Sequence, residues 1–207
     1  MTRSANRIPR LRTRGRANRA RMLREAERLL AANDAESVRF SDVFEAAGVS
    51  RGSAYRIYIG MDDLLQDLAG EWLHNFVRVL AEADPPVRPV TWMELSDHIV
   101  ERAGRYWTET ADTLRVMSHI RSLSQASYEA AVADLSRHIV ELFDRYFVIP
   151  QVPAWRDKIA FFTQLCDLAF TDAVRSGHGI DESRIAEAQA LCRTQLSFHL
   201  PAELPAR

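Results

Sequence analysis

Arg51, Gly52, Ser53, Tyr55 and Arg56 follow directly on Ala47-Gly48-Val49-Ser50. Two guanidinium groups, a hydroxyl, a phenol and a bare backbone position on one exposed helix suit docking into the DNA major groove. Arg51 and Arg56, about one turn apart, reach guanine edges or phosphates. Ser53 and Tyr55 suit phosphate or base-edge hydrogen bonds, and Gly52 lets the backbone approach closely. Ser41, Ser50 and Tyr58 complete the candidate contact set on this segment, with Tyr58 read as either packed inward or on phosphate.

A second basic feature lies upstream. Residues 1–24 contain nine arginines and no acid, so this stretch carries +9 while the whole chain has a net charge of −1. Such segregation marks a basic arm on an acidic body. Arg10, Arg12, Arg14 and Arg16 are its candidate phosphate contacts. Nearly all positive charge is arginine, with Lys158 the one lysine, and arginine favours bidentate phosphate contact and narrow minor grooves. The arm reads as a DNA-contacting segment; a solvated tail is the other reading.

These side chains need a scaffold, and helical periodicity supplies it. The first helix is expected from Ala17 to Ala32, with Met22, Leu23, Ala26, Leu29 and Leu30 on one face and Asn33-Asp34 as its stop. A second runs from about Phe40 to Ala47 and buries Val43, Phe44 and Ala47. Gly48 permits the positive φ of a sharp turn. Ser50 then caps a third helix, Arg51 to about Ile59, broken by Gly60. The fourth spans roughly Met61 to Ala83, with Asp62 and Asp63 in its first turn. After the proline-rich linker Asp84–Pro89 come segments 91–110, 112–121, 125–147, 154–176 and 181–198. The tail from Pro201 is expected to fray. The fold class is therefore all-α, with about nine helices. Its parts are a basic disordered arm over 1–16, a helix-turn-helix domain over 17–60 and a helical effector-binding and dimerisation domain over 61–200.

Composition excludes several classes. Hydrophobic residues make up 47% of the chain, ample for a core, yet no apolar run reaches the length of a membrane span. No apolar segment of signal-peptide type follows the arginines, so a soluble, cytoplasmic protein is expected. Cys166 and Cys192 form no metal motif and read as small buried hydrophobes. The phosphate-binding loop, the dinucleotide-binding glycine pattern, the HExxH zinc motif and the nucleophile elbow are all missing. No catalytic residue, cofactor or metal is expected.

At residues 47–55, AGVSRGSAY, the chain resembles the TetR-type (tetracycline-repressor-like) transcriptional regulators. Asp42-Val43 and Leu64-Leu65 match the family's flanking pairs, and the resemblance covers residues 20–68. It implies a three-helix DNA-binding domain and a helical ligand-binding domain. It also implies a homodimer whose last two helices form a four-helix bundle, reading a palindromic operator and released by a small molecule. Five positions depart from the family pattern. Ile57-Tyr58 replaces His-Phe, Met61 stands where a phosphate-binding lysine is usual, Phe44 replaces a small residue, and Arg39 replaces a capping threonine. The arginine arm is expected to compensate for the lost lysine.

Large rings crowd the C-terminal half. Trp72, Phe76, Trp92, Tyr106, Trp107, Tyr128, Phe143, Phe147 and Phe162, with Met117, are the candidate ligand contacts, favouring an apolar or amphipathic effector. Each is read as either core or pocket. His98-Ile99-Val100-Glu101 recurs as His138-Ile139-Val140-Glu141. This repeat reads as coincidence, as effector hydrogen bonding by one copy, or as a metal site. Phe162, Cys166, Ala169, Ala173, Ile185, Ala188, Cys192 and Gln195 are the candidate dimer interface, burial within the protomer being the other reading. The function expected is a ligand-responsive, sequence-specific DNA-binding regulator, most often a repressor. The alternatives are constitutive nucleic-acid binding without an effector and, least favoured, a helical-bundle enzyme.

Overall fold

The computed structural model describes residues 13–33, 37–82, 84–120 and 125–207. Among them are nine helices: α1 (Thr13–Ala32), α2 (Phe40–Ala46), α3 (Arg51–Ile57), α4 (Met61–Ala81), α5 (Trp92–Glu109), α6 (Ala111–Ile120), α7 (Gln125–Tyr146), α8 (Trp155–Arg175) and α9 (Glu182–Ser197). The chain divides into two compact units, Met1–Trp72 with His119–Tyr128, and Leu73–Ser118 with Glu129–Arg207.

In the first unit α1 packs against α2 and α3, with Met22, Leu23, Ala26 and Leu30 of α1 and Val43, Phe44 and Ala54 of the short helices all buried. α1 starts four residues before the expected Ala17, so Arg14 and Arg16 are helical rather than part of an extended arm. Arginine and alanine are good helix formers, and six of the eight residues from Arg14 to Arg21 are one or the other, which extends the helix despite Gly15, Asn18 and the low hydrophobicity. Arg10 and Arg12 lie outside the described residues, as does Asp34 of the expected stop signal. Arg39 occupies the N-cap of α2. There the Asp42 carboxylate accepts from the Arg39 backbone N–H at 3.0 Å, the half of a capping box that needs no hydroxyl at the cap.

The second unit packs α5 against α8 and α9. Gly104 makes that approach possible. A Cβ there would sit 2.7 Å from Ile185 Cγ1 and 3.1 Å from Phe170 Cζ, with both partners buried. Gly104→Val is therefore expected to destabilise this unit by about 1–3 kcal/mol through overpacking, read as faster hydrogen exchange in α5 and α9 with the α1–α3 amides unchanged. Arg193 of α9 adds a two-oxygen ion pair with Asp97 of α5. Cys166 and Cys192 are free and buried. A hydrogen bond with Cys192, followed by burial, pushes the Cys166 thiol well above its usual value.

The C-terminal tail is tied down rather than frayed. Val148 donates its backbone N–H to Pro205 O at 2.8 Å and Arg207 donates to Tyr146 O at 2.9 Å. Trp92 Nε1 donates to Pro201 O at 2.8 Å. Proline and small residues end a helix but leave carbonyls free to pair, a possibility invisible to helical periodicity.

Candidate nucleic-acid interface

The turn between α2 and α3 is set by Gly48 at φ +61. Val49 donates its N–H to Phe44 O at 2.8 Å and is buried under the turn. Ala54 is the one fully buried position of α3, so the helix rests on a single small residue. Ser50, Arg51, Gly52, Tyr55 and Arg56 are left exposed, with Ser53 half-buried. No acid occurs in α3. Ser50 serves as N-cap through its backbone; its hydroxyl lies 3.0 Å from that of Ser53 rather than on a backbone N–H.

The exposed side chains are pre-arranged. The Arg51 guanidinium sits over the Tyr55 ring, 5.7 Å from its centroid, a cation–π contact. Tyr55 is held edge-on by Phe40 at 5.2 Å and tilted against Phe44 at 6.4 Å. Phe44, the unusual large residue of α2, thus braces the ring next to Arg51. Arg56 Nε donates to Gly52 O at 3.1 Å and its Nη2 to Ser53 Oγ at 3.2 Å. A Cβ on Gly52 would meet nothing within 4 Å. The fold itself therefore makes no demand for glycine there, and its small size matters only to something approaching from outside.

Tyr58 is not on this surface. It is 4% exposed, and its hydroxyl donates to Asp67 Oδ2 at 2.5 Å. The same carboxylate accepts from Arg19 Nε at 2.7 Å and Nη2 at 2.6 Å, while Arg19 Nη1 reaches Glu71 at 2.8 Å. The Asp67 hydrogen bond holds Arg19 protonated well above its ordinary range. Burial, then the bond to Asp67, pushes the Tyr58 phenol far up. Trp72, expected at the effector site, is also used within this unit, donating its indole N–H to Glu27 at 2.9 Å. Sequence reasoning missed Arg19, Asp67 and Glu71, because nothing local signals a partner across 48 residues. It counted Arg21 only as charge, yet Arg21 is exposed and lies beside the Gly48 turn, 3.9 Å from the place of a Cβ. Ser41 is half-buried with its hydroxyl on Asp42 at 3.3 Å.

Residues 22–68 match the family model described as bacterial regulatory proteins, tetR family. This segment is a TetR-type helix-turn-helix. No curated protein matches. Among solved structures, a TetR-family transcriptional regulator from Streptomyces coelicolor is 20% identical, with TM-score 0.66, over 88% of this chain and 99% of that one. A TetR regulator from Rhodococcus sp. RHA1 is 15% identical, with TM-score 0.65, over 88% and 97%. The fatty acid degradation regulator FadR from Bacillus halodurans is 16% identical, with TM-score 0.60, over 86% and 94%. The TetR-like fold thus extends through both units, well past the helix-turn-helix.

In the C-terminal unit of this TetR-like chain, most of the expected ligand rings are core. Trp92, Trp107, Phe143, Phe147 and Phe162 are at most 2% exposed. Phe76 stacks on Trp107 at 4.7 Å, with Tyr106 edge-on to Trp107 at 4.9 Å. Met117 is buried and Tyr128 half-buried. None of the ten lines the shallow groove, open to solvent, that lies in this unit. Its floor is Leu80, Ile99, Leu135, Ile139 and Leu142, and its polar rim is Asp84, Arg102, His138, Glu141 and Arg145. The second copy of the His-Ile-Val-Glu repeat supplies three of these residues and the first supplies Ile99. No group of three or more metal-ligating side chains occurs among the described residues.

The expected dimer residues are a second correction. Phe162, Cys166, Ala173, Ile185, Ala188, Cys192 and Gln195 are buried inside the protomer, and Ala169 is half-buried. The large apolar side chains left exposed on this pair of helices are Phe161 and Leu168 of α8, and Leu191 of α9 with Phe198 just past its end. Each pair is spaced by seven residues, two helical turns, and so shares a face.

Proposed function

We propose that this TetR-like protein is a homodimeric, sequence-specific repressor that leaves its operator when a small apolar or amphipathic molecule binds the C-terminal unit. The observation that carries DNA reading is α3 itself. It holds Arg51 and Arg56 outward, braced by Tyr55, Ser53 and the Gly52 carbonyl, with no competing acid. Arginines pre-arranged for a guanine edge lose less rotamer freedom on binding. Arg14, Arg16 and Arg21, exposed on α1, supply phosphate contacts in place of the family's usual lysine. Action on chromosomal DNA places the protein in the cytoplasm; no helix among the described residues is long and apolar enough to cross a membrane.

The dimer is proposed through Phe161, Leu168, Leu191 and Phe198, large apolar side chains left in water by the protomer. Large apolar side chains left exposed at two-turn spacing on two helices suit an interface. Two subunits would then present α3 to half-sites about one DNA turn apart. Effector and operator would be coupled by about 1–3 kcal/mol, through α4, whose first turns belong to one unit and whose last turns to the other.

Selection from a random duplex pool is expected to enrich one near-palindrome. On that sequence Arg51→Ala or Arg56→Ala should erase about 1–3 kcal/mol of discrimination at a guanine position. Deleting residues 1–16 should instead lower affinity on all sequences and flatten the salt dependence. Enrichment without symmetry, or equal binding of all duplexes, would favour constitutive coating of nucleic acid and end the operator reading.

A further inference from the structure

The groove in the C-terminal unit has a charge pattern that narrows its ligand. Its two carboxylates are already answered. Asp84 is paired with Arg145, and Glu141 with Arg137 at 3.6 Å. Both pairs are exposed. His138 lines the groove and its Nδ1 is engaged with the Asp134 carbonyl at 2.8 Å, so Nε2 is the ring nitrogen left to bond a ligand. Arg102 is different. It lines the groove and is half-buried. No hydrogen bond or ion pair joins it to any described residue, although its helix neighbour Arg105 is paired with Glu101 at 2.6 Å. An arginine fork beside Ile99, Leu135 and Ile139 with no carboxylate partner among the described residues is a cation on an apolar floor that an incoming anion can take.

We propose that the groove binds an amphiphilic anion, a carboxylate on an apolar chain. The carboxylate would take Arg102 bidentately, with His138 Nε2 as a second donor, and the chain would lie along Ile99, Leu135, Ile139 and Leu142. This inference rests on the effector reading above and deepens it by naming the ligand class. A cationic amphiphile would face Arg102 unscreened. A neutral one offers its fork no charge-assisted pair, so the head group and not the tail sets the preference. The His-Ile-Val-Glu repeat gains a reason here: each copy places an isoleucine on the floor, and one copy adds a donor at the rim.

Calorimetric titration of the full chain with decanoate, 1-decanol and decylamine tests this, since the three share a tail. Decanoate is expected to bind at least about tenfold more tightly than decanol, and decylamine more weakly than either. Arg102→Gln should abolish the advantage of decanoate while sparing decanol; Arg102→Lys should restore part of it. Ala81→Trp, at an exposed groove position, should block all three, which locates the site and guards against micelle artefacts. Equal binding of decanoate and decanol, a preference that survives Arg102→Gln, or no binding of decanoate would each overturn the proposal. Operator affinity measured with and without decanoate separates the two levels. Head-group-dependent binding that leaves operator affinity unchanged would retain the anion site and end the effector reading. Release of the operator by decanol as effectively as by decanoate would do the reverse.

Discussion

The double variant Leu168→Arg/Phe198→Arg is expected to sediment as a monomer and to lose at least about 100-fold in operator affinity. Both side chains are largely in water, at 58% and 78% exposure, so the substitutions place guanidinium groups where no packing inside the protomer is disturbed. Far-UV circular dichroism should not change. The loss on DNA would be large because each subunit reads only a half-site. A dimer makes the second contact intramolecular, and avidity of this kind commonly reaches about 10²–10⁴-fold. Ala188→Arg provides the contrast. Ala188 is fully buried within the protomer, so that change should unfold the C-terminal unit rather than split a folded dimer. A wild-type protein that is monomeric at micromolar concentration, or a double variant that remains dimeric, would remove this face as the interface.

Asp67→Ala is the second change with a large expected effect. The carboxylate answers two Arg19 donors and the Tyr58 hydroxyl at once. Its removal leaves the guanidinium with Glu71 alone and strands a phenol largely shielded from water, the side chains of Arg19 and Asp67 being 22% and 17% exposed. We expect a loss of about 2–3 kcal/mol in the N-terminal unit, below the full cost of a buried pair because some water reaches Arg19. Hydrogen exchange of the α1 and α3 amides reads this. Operator affinity should fall as well, because Tyr58 is the C-cap of α3 and its hydroxyl fixes where the recognition helix ends. A normal exchange rate with full affinity would show that the cluster is only decorative. Tyr58→Phe should cost about 1 kcal/mol and also change the alkaline limb of stability. The folded phenol is pushed above its ordinary value, so what it contributes is intact below about pH 10, where the unfolded tyrosine is still protonated, and is lost as pH rises beyond that. The phenylalanine variant should lack that part of the loss.

The helix-turn-helix was legible in the chain because its determinants are local. Gly48 must turn, Val49 must tuck under, and a seven-residue helix with a single buried alanine can show the rest of its side chains to DNA. Helix limits in the C-terminal half were equally readable, within a residue or two, from 3.6-residue periodicity and from Pro, Gly and Asp at the breaks. Which face of a helix looks inward was not. In α8 both Phe161 and Phe162, and both Cys166 and Leu168, are apolar, so hydrophobicity surrounds the helix and no stripe distinguishes protomer core from partner. The small-residue face chosen as the dimer seam is the one that α5 and α9 cover.

The ligand residues were not legible for a related reason. Rings at helical spacing read alike whether they fill a core or line a pocket, and Trp92, Trp107, Phe143, Phe147 and Phe162 fill the core. The groove is made instead of aliphatic side chains and of polar residues from separate helices, with no composition that sets them apart. Sequence alone determined that this chain is helical, that a TetR-type helix-turn-helix begins it, and that Arg51 and Arg56 stand on the reading helix, since these follow from near-neighbour sterics and periodicity. Tertiary structure alone decided that Tyr58 turns inward to Asp67, that the last residues are pinned to Tyr146 and Val148, and that Arg102 is left without a partner, since each depends on groups brought together from distant parts of the chain.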